Sequence, residues 1–258
     1  MNSWQAEWNA YYTLVRREVR RFIRIWLQTL LPPAITMTLY FVIFGRLIGS
    51  RIGEMGGYTY IQFVVPGLIM MAVVTNSFAN VVSSFFGAKF QRFIEEIQVS
   101  PVSNHTILLG FVTGGVIRGL LVGAIVTVVA LFFTDLPMHN PLVTLSILVL
   151  TALLFSLGGF INAVFANNFD DISIVPTFVL APLTYLGGVF YSIDLLSEFW
   201  AGVSKLNPML YIVNAFRYGI LGHSDVDVGV AFVMVGLFTV AAYAYSMYLL
   251  ITGKRLRQ

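Results

Sequence analysis

Long apolar runs, separated by short polar breaks, dominate the pattern along this chain. Six segments, about 26–48, 60–86, 106–133, 141–165, 172–191 and 228–251, each hold the roughly 20 apolar residues a helix needs to span hydrocarbon. Alternation with a period of two, the mark of a half-buried strand, is not what sets these runs apart. The pattern therefore predicts an all-α polytopic membrane protein with six transmembrane helices in a single domain, 1–258. Pro176 and Pro182 interrupt the fifth run. Proline is tolerated in a membrane helix when neighbours satisfy the carbonyls it frees.

Three polar stretches have patterns of their own. In residues 4–24, at 100° per residue, Trp4, Trp8, Tyr11, Tyr12, Val15, Val19 and Phe22 fall on one side. Arg16, Arg17, Arg20, Arg21 and Arg24 occupy the other. Such a helix lies along a membrane surface with its rings at the headgroup boundary and its guanidinium groups toward lipid phosphate; a plain basic anchor is the simpler alternative. In residues 87–104, Phe90, Phe93, Ile94 and Ile97 share a helical face, with Lys89, Arg92, Glu95 and Glu96 largely away from it, and Pro101 ends the helix. A short amphipathic helix there suits either docking of a soluble partner or a linker at the interface. Residues 192–222 carry apolar runs broken by Asp194, Glu198, Lys205, Pro208 and Arg217, too short for full crossings and expected to be re-entrant or interfacial. Trp200, Tyr211 and Tyr218 would mark the outer headgroup level.

Composition agrees with lipid as the solvent. Of 258 residues, 58% are hydrophobic and 10% charged, with mean hydropathy +0.83; a soluble domain is roughly 25% charged. The absence of cysteine excludes disulfides, thiolate metal sites and cysteine nucleophiles. A cleavable signal peptide is not expected, since the first apolar run begins only after Arg24 and is too long for a signal core. Charge placement sets orientation. With the amino terminus inside, the inner side holds ten cations: Arg16, Arg17, Arg20, Arg21, Arg24, Lys89, Arg92, Lys254, Arg255 and Arg257. The outer side holds four, Arg46, Arg51, Lys205 and Arg217. Cytoplasmic loops carry the excess of Lys and Arg, so both termini are expected in the cytoplasm. The net charge of +3 sits in these clusters and does not indicate nucleic-acid binding.

Catalytic motifs are scarce. Gly253-Lys254-Arg255 lacks the upstream glycine and the hydroxyl residue of a phosphate-binding loop. His105, His139 and His223 lie near different span ends, without zinc-ligand spacing. No G-x-S-x-G elbow occurs. Asp170 and Asp171 are adjacent and would point about 100° apart on a helix, a pattern closer to helix capping than to acid–base work. Arg118, midway along the third span, is the most unusual residue, because an unpaired charge there costs at least about 2.5 kcal/mol. It contacts either a polar or anionic substrate or a structural partner. Gly115, Gly119 and Gly123 make two overlapping G-x-x-x-G steps that permit close helix packing, within the chain or between copies. Asn76 and Asn80, one turn apart on the second span, line a pathway or hold helices together.

The order of these parts, more than any one motif, carries a family resemblance. FVVPGLIMM at 63–71, FGAKFQRFIEEIQVSPVS at 86–103, DDISIVPTFVLAPLTYLGGVFYSIDLL at 170–196 and LNPMLYIVNAFRYGILG at 206–222 give nearly the whole chain the look of a type-2 ABC transporter permease. The pattern is closest to the YadH-like branch of the bacterial inner membrane. The resemblance implies a homodimer, each copy bound to a separate ATP-binding cassette subunit that carries ATP and Mg, with no cofactor on this chain. It implies that 4–24 is a connector helix and 87–104 a coupling helix, with Gln91, Arg92, Phe93, Glu95 and Glu96 at or near the docking surface. It also places the re-entrant helices on the periplasmic side.

The expected function is thus the permease subunit of an exporter, not an enzyme. An ion-coupled secondary carrier is the first alternative, weakened because Asp135, Asp170 and Asp171 are the only acids near span ends. A membrane-embedded lipid-modifying enzyme using Asp170, Asp171 or His105 is the second. The cargo is not legible in one chain.

Overall fold

The computed structural model describes residues 3–253; Lys254, Arg255 and Arg257, counted above on the inner side, and the side chain of Arg46 lie outside what is described. Helix α1, Ser3–Arg24, breaks at Ile25 into α2, Trp26–Ile52. This second helix is uneven: Leu30 separates a first turn from a stretch opened by Pro32 and Pro33, and Phe41–Ile48 is wound wider, as a π-helix. Gly53, with φ +79°, ends it, and a two-residue antiparallel hairpin, Glu54–Met55 with Tyr58–Thr59, turns the chain through Gly56 and Gly57.

Helix α3, Tyr60–Phe90, opens with a capping box between Thr59 and Gln62. Its 31 residues reach about 46 Å at 1.5 Å each. The short α4, Phe93–Val99, follows Arg92 in left-handed backbone, φ +60°. Next come α5, Asn104–Ala130, capped by Ser103, and α6, Pro141–Phe165, capped by Asn140 with proline in its first turn. Helix α7, Asp171–Tyr185, is again π-wound at Pro176–Leu180. A single 3-10 turn, Ile193–Leu195, leads to α8, Glu198–Lys205, and α9, Pro208–Leu221. Helix α10, Val228–Thr252, is capped by Asp227.

α3 is the axis of the molecule, with α5, α6 and α9 packed around it. Buried Phe63, Leu68, Ile69 and Met70 fill one half of the core, and Phe85, Phe86, Phe111 and Phe160 fill the other. Close approach depends on glycine. At Gly159 of α6 an added Cβ would stand 2.5 Å from the Phe78 carbonyl oxygen of α3, a backbone atom that cannot swing aside. The helices α2, α7 and α10 form the rim, and most of their apolar side chains face outward.

Cross-links sort the helix ends into two groups. At one end, Glu7 meets Ser103, Lys89 Nζ donates to the carbonyls of Val164 and Ala166 at 2.7 and 2.8 Å, and His105 Nδ1 lies 2.6 Å from Tyr243 Oη. At the other, Tyr60 Oη donates to Phe190 O at 3.1 Å, Tyr58 to Leu221 O, and Asn140 N to Gly219 O at 2.7 Å.

Five helices, α2, α3, α5, α6 and α10, are long and apolar enough to cross a membrane, where the apolar pattern predicts six. The difference lies in 172–191, of which only Asp171–Tyr185 is helical, about 22 Å of helix against a core of about 30 Å. After Tyr185 the chain turns through Gly187 and Gly188, the latter at φ +71°. The segment 87–104 is shared: α3 continues to Phe90, and the separate short helix is α4.

Gly159→Leu is expected to destabilise the protein by at least about 1–3 kcal/mol, the usual range for overpacking a filled core. A lowered unfolding temperature in detergent, absent for Gly236→Leu where nothing lies within 4 Å of the added atom, is the check.

Candidate functional site

Helix α1 does not simply lie on a surface; it is bolted to α5. Leu14 and Glu18 pack over Gly110 and Gly114, where a Cβ would meet their side chains at 2.7 and 2.5 Å. Tyr11 Oη and Thr113 Oγ1 are 3.0 Å apart, and Phe22 is fully buried. Glu7 accepts from Ser103 N at 2.8 Å, from Ser103 Oγ at 3.1 Å and from Thr106 Oγ1, clamping the start of α1 to the cap of α5. The aromatic stripe is consequently divided. Trp4, Trp8 and Tyr12 remain exposed, whereas Tyr11 and Phe22 turn inward.

The arginines divide too. Arg16, Arg20 and Arg24 are exposed, as a phosphate-facing stripe requires. Arg17 and Arg21 instead turn toward Glu18, 1% exposed, at 3.1 and 3.3 Å. This corrects the expectation of five arginines on one solvated side; a buried carboxylate recruits two of them. Arg21 goes further, donating to Asn80 O and Oδ1, both at 2.9 Å, and to Ser83 Oγ at 3.2 Å. Glu18 was not singled out from sequence, although an acid at i−3 from Arg21 within a run of arginines is a readable signal.

One turn along α3 from Asn80, Asn76 Oδ1 accepts from Arg118 at 3.0 Å, and Arg118 also reaches Thr29 O at 3.4 Å. Arg118 stands on the wall of a cleft of about 350 Å³ between α2, α3 and α5, lined also by Thr36, Tyr40, Met71 and Thr75. Asn76, Asn80 and Arg118 thus lie along one seam. Gly115, Gly119 and Gly123 face away from it into the chain's own core. They meet Ser156 and Val81, Ser77, and Val73 respectively, so their packing is within the protomer.

The residues expected at a docking surface cluster on α4 and its entry. Ile94 is fully buried and anchors the helix; Gln91, Arg92, Phe93, Glu96 and Val99 are exposed, and Glu95 is half-buried. The Arg17 guanidinium sits 5.4 Å from the Phe93 ring centre and 5.1 Å from that of Phe111, so α1 touches α4 from behind.

At the opposite end the structure reveals a site the sequence hid. Arg217, counted above as an outer loop charge, is fully buried in α9. It donates to Gly188 O at 2.7 Å and Phe63 O at 3.2 Å and lies 3.7 Å over the Phe63 ring. Asn214 Oδ1 accepts from Asp225 N at 2.9 Å, and Asp225 holds Ile193 N and His223. The network ties α9 to α3 and to the turn after α7. Asp170 and Asp171 serve locally: Asp171 accepts from Asn167 N at 2.8 Å. Among the described residues, no three His, Cys, Asp or Glu side chains converge on a metal position.

The bonds donated by Thr106 and Ser103 hold the Glu7 carboxyl below its ordinary range. A depressed carboxylate stabilises the docked helix above its unfolded pKa, and that contribution is lost as pH falls through the folded one. Hydrogen exchange of residues 3–15, corrected for intrinsic rate, should therefore accelerate on acidification below about pH 4. Glu7→Gln should show the faster exchange already at pH 7.

A family model for the ABC-2 type transporter matches residues 9–221. The chain is 58% identical over 250 residues to the inner membrane transport permease YadH of Escherichia coli strain K12, covering 97% of this chain and 98% of the relative. It is 24% identical over 227 residues to nodulation protein J of Rhizobium leguminosarum bv. trifolii, covering 88% and 84%. The family match across residues 9–221, together with a relative 58% identical over nearly the full length, makes this chain a member of the ABC-2 type transporter family.

Proposed function

We propose that the chain is the membrane-spanning permease subunit of an ATP-driven exporter in a bacterial inner membrane. Two copies pair, and each binds a separate ATP-binding cassette subunit that holds ATP and Mg. The observation that carries this reading is the outer face of α4. Phe93 is 40% and Val99 85% exposed, with Arg92, Gln91 and Glu96 around them and Phe90 alongside. An apolar centre with a charged rim is the composition of a protein-docking surface. Ile94 and the Arg17 contact give that face a rigid backing, through which a push on α4 reaches α1. The relative's name, a transport permease of the inner membrane, supports the location and the role.

Six crossings with both termini cytoplasmic fit this reading. Asp171 follows the Phe165 end of α6, beside Lys89, whereas Phe190 meets Tyr60 at the far end of α3. The chain thus travels between the two ends over α7 and the turn beyond it, and α10 brings it back. Residues 192–222 then lie on the periplasmic side, with α9 re-entering the bundle. Outward-facing α2 and α7 supply apolar surface for the second copy and for lipid.

Two experiments test these statements. Phe93→Asp combined with Val99→Asp should cut co-purification of a cassette ATPase at least about tenfold, a loss of about 1.4 kcal/mol, while membrane insertion is retained. Undiminished capture would remove the docking assignment. Because the chain has no cysteine, single substitutions report sidedness directly. Leu206→Cys should react with a membrane-impermeant maleimide on intact cells, and Thr252→Cys should react only after the membrane is opened. Protection of Leu206→Cys together with labelling of Thr252→Cys in intact cells would leave five crossings, α7 not among them.

A further inference from the structure

Three cations reach into the bundle, and two of them, Lys89 and Arg217, are fully compensated. Arg217 has carbonyl acceptors at 2.7 and 3.2 Å, an aromatic face at 3.7 Å, and the charge of Asp225 acting on it. Arg118 has one amide oxygen and one long carbonyl contact, both made by the same terminal nitrogen. Its Nε is buried without a partner, and it joins no ion pair among the described residues. The charge that bears on it is a second cation, Arg21.

Glu18, which packs over Gly114 one turn from Arg118, is already paired with Arg17 and Arg21 and forms no ion pair with Arg118. None of the twelve Asp and Glu residues lies in α2, α3, α5, α6 or α10. Arg118 stands about 20 Å from either end of α5 at 1.5 Å per residue. An uncompensated charge at that depth is unfavourable by several kcal/mol, a cost that a bound anion relieves.

The cleft around Arg118 fits an anion with a tail. Arg118, Asn76, Thr36 and Thr75 offer polar groups, and Pro32, Met37 and Met71 form an apolar wall. Below it, around Ile25 where α1 meets α2, opens a groove of about 740 Å³ lined by Arg16, Arg20 and Arg24 together with the Glu18-paired arginines. The exposed three form no ion pair among the described residues. The lining of the groove reaches Ile25 and that of the cleft begins at Gln28, three residues further along the chain.

We propose that this cleft binds an anionic amphiphile, its oxyanion headgroup on Arg118 and its alkyl part against α2 and α3, and that the cargo belongs to this class. The inference rests on the transport reading but is tested without transport. The intact protein in nanodiscs of phosphatidylcholine is titrated with dodecyl phosphate, dodecanol and inorganic phosphate. Dodecyl phosphate should bind, dodecanol and inorganic phosphate at least about tenfold more weakly, a difference of about 1.4 kcal/mol. Arg118→Gln should weaken dodecyl phosphate about tenfold or more and leave dodecanol unchanged; Arg118→Lys should retain most of the binding. Should Arg118→Gln fail to fold, Ala79→Leu, which narrows the cleft without touching the cation, should also weaken the alkyl phosphate and spare inorganic phosphate. Equal binding of dodecyl phosphate by parent and Arg118→Gln overturns the site. Inorganic phosphate binding as tightly as its alkyl ester overturns the amphiphile. An ATPase that still co-purifies after such a result leaves the transport reading standing and removes only the cargo class.

Discussion

Acyl chains offer a buried charge neither water nor mobile ions, so each cation within the bundle must find its compensation in the fold. Because the long helices contain no acid, that compensation comes from carbonyls, amides and rings. Lys89 meets the requirement at the end of α6, whose last carbonyls have no helical partner and accept its ammonium. Arg217 meets it where the chain kinks after α7 and frees the Gly188 carbonyl. In both cases an irregular stretch of backbone and a buried cation satisfy one another, and the positions of the helix ends follow from where those cations sit.

Packing around α3 answers the same constraint by different means. Lipid is as apolar as the side chains, so burial gives little drive for helix association, and close van der Waals contact has to supply it. Gly115 and Gly119 bring α5 against Val81 and Ser77, Gly159 brings α6 onto the Phe78 backbone, and Gly67 admits Val189 from the turn after α7. On the opposite side of α5, Gly110 and Gly114 admit α1. A single helix thus carries two glycine faces about half a turn apart, one for the core and one for the surface helix. This explains why α1 is held more tightly than a lipid-floating helix of similar pattern would be.

Hydropathy made the membrane class, the helical architecture and most element positions readable, because window composition over 20 residues is insensitive to any one contact. Individual polar residues were less readable. Lys89 and Arg217 counted as loop charges, since sequence distance from an apolar run does not reveal whether a side chain turns in to cap a carbonyl. Without them the orientation count is still nine against three, so the bias survives the loss of its two buried members. The pairing of Asn76 with Arg118, 42 residues apart, and of Arg21 with Asn80, 59 apart, depends on helix register, which a single sequence does not encode in any local signal. The length of α7 was overestimated for a related reason. Apolar residues continue to Phe190, but the helix, π-wound from Pro176, ends at Tyr185 and the chain turns at Gly187 and Gly188.

The polar seam has a mechanical consequence. Arg17 faces Phe93 of α4, Glu18 lies beside it, Arg21 grips the Asn80 backbone and side chain, and Asn76, one turn further along α3, holds Arg118 at the cleft. Hydrogen bonds of about 3 Å tolerate only small displacements before they weaken. A rigid movement of α1 by more than about an ångström must therefore either break the Arg21 contacts or carry Asn80 with it. Asn76 and Asn80 sit on the same helix, so displacement of the second re-aims the first, and with it the acceptor that steadies Arg118. The cleft and the exposed face of α4 are thus joined by stiff contacts with no flexible loop between them, and the geometry at Arg118 depends on where α1 is held.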